Sequence, residues 1–125
     1  MMFGRVNQRR EAIVNLVVIG SKNSKLAVEA VIDTGFNGDV ILPMDLVIAL
    51  DLKLQGYQKA RLGDGTITKF PIYIGTVIWD GQKQLVEVNA ATTGTLIGMG
   101  LLEGYKLEID SIRNGIVSIT SLNVT

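Results

Sequence analysis

Asp33, Thr34 and Gly35 are the residues in this chain whose types and spacing offer chemistry. The apolar pair Val31-Ile32 precedes them and Phe36-Asn37-Gly38-Asp39 follows, so the carboxylate stands where a buried strand gives way to a turn-rich loop. Gly35 permits close backbone approach or positive φ, and the Thr34 hydroxyl can hold neighbouring backbone or reach across an interface. Taken alone, Asp-Thr-Gly reads as an ordinary turn, since all three residue types favour turns. Composition limits what else the chain can do, because it has neither cysteine nor histidine. Cysteine nucleophiles, Ser-His-Asp triads, imidazole acid–base catalysis, nearly all zinc sites and a disulfide scaffold are thereby excluded. Any catalysis must rest on carboxylates, lysine, tyrosine, hydroxyls, backbone groups or a cofactor.

The 125 residues fit one domain, with the core expected over about residues 12–120, and 47% of them are hydrophobic. Twelve basic side chains balance twelve acidic ones. That balance gives no electrostatic footprint for nucleic acid or an anionic membrane. No segment approaches the roughly 18 apolar residues of a membrane span. Arg5, Arg9 and Arg10 ahead of Ala12–Ile19 imitate a signal peptide, but Asn15 interrupts the apolar run and no small-x-small site follows. A cytoplasmic location is the expectation.

Stepping along the chain, Ala12–Gly20 and Leu26–Ile32 read as a hairpin around a polar break at Ser21–Ser24. Val40–Leu42 is a short apolar strand. Pro43 suits the first turn of a helix, with Leu46, Val47 and Leu50 at helical spacing, and Gly56 is expected to end that unit. Tyr57–Leu62 and Thr66–Ile74 flank Gly63-Asp64-Gly65, a strong hairpin signal. Thr76–Trp79 and Gln82–Asn89 flank Asp80-Gly81, and Lys106–Asp110 and Ile116–Thr120 flank Asn114-Gly115. Between them, Thr95–Leu102 runs into a short turn or helix. The first ten or so residues and the last few are expected to be mobile or to pair with a partner chain.

This order of elements resembles the retropepsin-like aspartic proteases, the retroviral proteases and their cellular and bacterial single-domain relatives. The resemblance spans Val14 to Ile119, with Val31–Gly35 and Leu96–Leu102 as its most specific parts. Leu96-Ile97-Gly98, followed by Leu101-Leu102, looks like the family's second signature, which underlies the active-site loop. Gly63-Asp64-Gly65 looks like the tip of a flap that closes over substrate. The resemblance implies an all-β fold: a closed, mostly antiparallel β-barrel of the retropepsin type with one short helix, assembled as a two-fold homodimer. It implies Asp33 as the catalytic residue, Thr34 and Gly35 as loop support, Thr34 reaching across to the partner, and chain termini in an interfacial sheet. No metal and no cofactor are implied, and the partners are a second copy and an extended peptide or protein substrate. Two positions depart from the family pattern: Gly100 stands where Asn or Asp is common, and Phe36 where a small residue is.

Asp39, Asp45, Asp51, Asp64, Asp80 and Asp110 read as turn, cap or solvated charges, and Trp79, Met44 and Met99 as packing residues. Gly63-x-Gly65 lacks the third glycine and the strand-to-helix setting of a dinucleotide loop. Three functions follow: a homodimeric aspartic endopeptidase, a non-catalytic dimerisation or peptide-binding module of the same fold, and a monomeric β-barrel binding domain unrelated to proteases.

Overall fold

In the computed structural model, which describes residues 1–122, apolar alternation sets the strands. β1 (Met2–Val6) is followed by β2 (Ala12–Ile19), in which Ala12, Val14, Leu16 and Val18 are buried with the period of two of a half-buried strand. β3 (Lys25–Ile32) returns antiparallel to β2, with Ile13 opposite Val31, and turns Leu26, Val28, Ala30 and Ile32 toward the core. β4 (Val40–Pro43) leads into α1 (Met44–Ala49), then β5 (Lys53–Arg61), β6 (Ile67–Trp79), β7 (Gln82–Ala91) and β8 (Leu96–Ile97). The one-turn α2 (Met99–Leu102), β9 (Tyr105–Ile109) and β10 (Ile116–Ser121) complete the described residues.

The strands join in one sheet, in the order β5-β6-β7-β4-β8-β3-β2-β1-β10-β9. A further antiparallel pairing of β6 with β2 links β6, β7, β4, β8, β3 and β2 into a ring. Two pairings are parallel, β3 with β8 and β4 with β7; the others are antiparallel. Leu16, Val18, Val40, Leu42, Val77, Val88 and Ile97 meet in the core, which Val117 and Ile119 extend toward β10. Trp79 is buried at 2% exposure and meets the Tyr105 ring edge-on, centroids 5.8 Å apart, so its role is packing. No helix among the described residues is long and apolar enough to cross a membrane.

Several boundaries differ from the sequence reading. Pro43 caps α1 from outside, with ψ at 145, because it still belongs to β4. Gly56 does not end the helical unit; it lies inside β5, where the register shifts between Leu54 and Gly56. β6 runs unbroken through Gly75, where an added Cβ would stand 3.3 Å from the Val88 side chain and 3.6 Å from that of Leu52. α2 forms at the end of Thr95–Leu102, where a short turn or helix is expected, so the described residues hold two short helices rather than one. β9 and β10 pair as expected, but their connection spans residues 110–115 rather than a two-residue turn. The N-terminal segment pairs within its own chain, β1 lying between β2 and β10. The expectation for the last few residues falls on 123–125, outside the described residues.

Leu42 is fully buried in β4, immediately after the Asp33 loop. Leu42→Ala is expected to lower unfolding free energy by ~2–5 kcal/mol, from lost burial and the cavity left behind, measured by urea denaturation.

Candidate active site

Asp33 follows the last residue of β3 and begins a loop, 33–39, that ends where β4 starts. β8 fixes both ends of that loop. Val31 and Ile32 pair in parallel with Leu96 and Ile97, while Val40 and Ile41 pair antiparallel with the same two residues. The Asp33 N–H donates to the Ile97 carbonyl at 2.8 Å, extending the β3–β8 pairing into the loop. The Gly35 N–H donates to Asp33 Oδ1 at 2.9 Å, and the Phe36 N–H to the Asp33 carbonyl at 3.1 Å. These bonds orient the carboxylate and leave it part-exposed. Thr34 is exposed, and its hydroxyl has no hydrogen-bond partner among the described residues.

The start of α2 holds the rest of the loop. Gly98, Met99 and Gly100 donate their N–H groups to the carbonyls of Asp39, Phe36 and Gly38, at 3.0, 2.7 and 3.0 Å. Such close approach requires glycine: a Cβ on Gly98 would overlap the Gly38 carbonyl and the Phe36 ring. The Phe36 ring also lies where a Cβ on Gly38 would be, so this larger residue packs onto its own loop's glycines.

Asp39 is the residue that sequence reading missed. It is part-buried, its Oδ2 accepts the Glu87 N–H at 3.0 Å, and its Oδ1 lies 2.5 Å from where a Cβ on Gly100 would stand. The departure at Gly100 thus has a local cause, since the Asp39 carboxylate fills the space beside it. Only the pairing of a bare glycine with an acidic residue at the end of the loop could have signalled this in the sequence.

A cleft of about 930 Å³ opens beside Asp33, lined by the apolar Val31, Ile32 and Leu96 and by the charged Arg10, Glu11 and Arg113 among others. The structure therefore brings Asp33 together with Leu96 and Ile97 of the second signature, and packs Gly98 beneath the loop. Gly63, Asp64 and Gly65 lie elsewhere, at the tip of the β5–β6 hairpin, and do not line this cleft. That tip is stapled. The Gly65 N–H donates to the Leu62 carbonyl at 2.9 Å, with Gly65 at φ +88, and Asp64 Oδ1 accepts both the hydroxyl and the N–H of Thr66 at 2.7 and 3.0 Å. Among the described residues no three acidic side chains gather as a metal site would require.

The ring of strand pairings and the loop clamped by β8 define a retropepsin-like fold. The crystal structure of a retropepsin-like aspartic protease from Rickettsia conorii matches it with a TM-score of 0.63 and 22% sequence identity, over 97% of this chain and 92% of that one. Neither a protein-family model nor a curated protein matches the sequence.

Gly100→Asn is expected to cost ~1–3 kcal/mol, because its side chain must displace the Asp39 carboxylate and crowd the Gly38 carbonyl. Asp39→Ala combined with Gly100→Asn is expected to cost less than the sum of the two single changes, read from a double-mutant cycle of denaturation curves.

The Thr66 hydroxyl, and then its N–H, hold the Asp64 carboxyl below its ordinary value of 3.8. A lowered folded-state pKa gives a staple that is intact above the unfolded value and lost as pH falls through the lower folded one. NMR titration of the Thr66 amide is expected to show a midpoint below 3.8, and a midpoint at or above it would contradict the staple.

Proposed function

We propose that the protein is an aspartic endopeptidase whose active site forms between two copies of the chain, with Asp33 of each facing its symmetry mate. The observation that carries this reading is the setting of Asp33: a part-exposed carboxylate on a doubly clamped loop, at a cleft, in a retropepsin-like fold. The free Thr34 hydroxyl beside it supports a contact across the two-fold axis. The reading includes a closed barrel in each subunit, for which the ring of strand pairings speaks.

The chemistry needs two carboxyl groups because one cannot be acid and base at once. Two of them ~3 Å apart share a proton, since both cannot ionise cheaply. The ionised member takes a proton from a water held between them, and the water oxygen bonds to the scissile carbonyl carbon. The protonated member gives its proton to the carbonyl oxygen. The tetrahedral intermediate then collapses: the C–N bond breaks, the amine leaves with the proton that the first carboxylate took, and a hydroxyl of the intermediate returns its proton to the second carboxylate, which releases a carboxylic acid and restores the shared-proton pair. The apparent pKa values belong to the pair rather than to either residue. Substrate lies extended, and the β5–β6 hairpin with Gly63, Asp64 and Gly65 at its tip covers it, adding backbone hydrogen bonds as an extra strand does. Closure excludes water and strengthens the electrostatics within.

Incubation of a mixed peptide library with concentrated protein, from about pH 3 to 7 to span coupled carboxylate titrations, is expected to give cleavage with the wild type and only background with Asp33→Asn. Cleavage that survives Asp33→Asn overturns the reading. So does the absence of cleavage by a protein shown to be dimeric by sedimentation, which would leave a peptide-binding or dimerisation module.

A further inference from the structure

Two segments that hold each other contribute Arg10, Glu11, Ile112 and Arg113 to the lining of the Asp33 cleft. Residues 7–11 are knitted into a tight turn: Asn7 Oδ1 accepts the N–H groups of Arg9 and Glu11 at 3.0 and 2.9 Å, and the Arg10 N–H donates to the Asn7 carbonyl at 3.1 Å. Arg10 has φ 64, a left-handed conformation that this turn imposes on a non-glycine residue. The 110–115 connection docks against the turn, with Arg113 Nε donating to the Gln8 carbonyl at 3.0 Å. That bond leaves the terminal nitrogens of Arg113 free, and the Arg10 side chain has no ion-pair or hydrogen-bond partner among the described residues. Two carboxylates line the same cleft: Asp33, and Glu11, whose Oε1 accepts from Asn7 Nδ2 at 3.0 Å. The cleft is therefore lined by one guanidinium with no partner among the described residues, that of Arg10, and a second, that of Arg113, whose terminal nitrogens are free, together with the apolar side chains of Val31, Ile32 and Leu96.

We infer that this cleft is a subsite for an acidic side chain, a Glu or Asp of the extended peptide, with Arg10 and Arg113 as the residues that read it. The inference rests on the peptidase reading, but it concerns recognition and not hydrolysis. A guanidinium fork fits a carboxylate with two parallel N–H···O bonds, which a lone ammonium or a neutral amide does not reproduce. The apolar wall of Val31, Ile32 and Leu96 accommodates the aliphatic stem of the same side chain. In the two-fold dimer each cleft has a symmetry mate, so the preference falls on both sides of the scissile bond.

The test separates recognition from turnover. Fluorescein-labelled peptides that differ only by Glu, Gln or Lys at one position, scanned along the sequence, are titrated onto the Asp33→Asn protein and also offered to the wild type as substrates. At one position on each side of the cut, the Glu peptide is expected to bind about 10-fold tighter than Gln at low salt, with Lys weakest and the gap narrowing as salt rises. Arg10→Gln is expected to remove most of that preference with the melting temperature unchanged, and Arg10→Glu to reverse it in favour of Lys. Equal binding of Glu and Gln at every position overturns the proposal, as does a Glu preference that survives Arg10→Glu. Dissociation of the dimer in Arg10→Gln, with no Glu preference in the wild type, overturns it too and assigns the guanidinium to the subunit interface. A Glu preference without turnover of any peptide retains the subsite and removes the peptidase, whereas turnover without a Glu preference does the reverse.

Discussion

Everything around Asp33 depends on a strand of two residues. Leu96 and Ile97 pair on one side with the strand that enters the Asp33 loop and on the other with the strand that leaves it. A loop pinned at only one end keeps much of its backbone freedom, and ordering it costs about 1–2 kcal/mol per residue. Pinning both ends to the same short strand, then receiving three loop carbonyls on the N–H groups of Gly98, Met99 and Gly100, confines the loop with few side chains. That confinement fixes the carboxylate direction through backbone geometry, while Asp33 and Thr34 stay accessible.

The glycines, the aromatic ring and Asp39 are best understood as one packing solution. Close approach of α2 to the loop leaves no room for side chains at 98 and 100. The space so vacated is filled by the Phe36 ring and the Asp39 carboxylate, both supplied by the loop itself. Asp39 also takes up the Glu87 N–H, tying the loop to β7 as well as to β8. The two departures from the family pattern, Phe36 and Gly100, are thus parts of the same arrangement.

What was legible in the sequence was what local chemistry dictates. Val14, Leu16 and Val18 alternate on one face, Asp80-Gly81 turns the chain with both residues at positive φ, and Asp33 ends an apolar strand. The second signature was legible as a motif, and its contact with the loop follows from backbone pairing. The rest depended on distant partners. Gly56 read as punctuation and the strands were read as separate on either side of residue 75, yet both glycines lie within strands because sheet partners hold the backbone through them. β1 offers little apolar periodicity, but β2 and β10 are both present to pair with it. Asp39 looked like any loop acid because its meaning lies in residues 87 and 100.

The clamp also sets an order of events during synthesis. Asp33 emerges early, but the strand that shapes its loop comes from the last third of the chain, and α2 follows directly after it. Contacts between segments this far apart in sequence form late, because closing the intervening chain must precede any gain from them. A nascent chain that has not yet delivered Leu96–Leu102 therefore carries its acidic loop unshaped. Any chain cut before Leu96 lacks the strand that pins both ends of this loop.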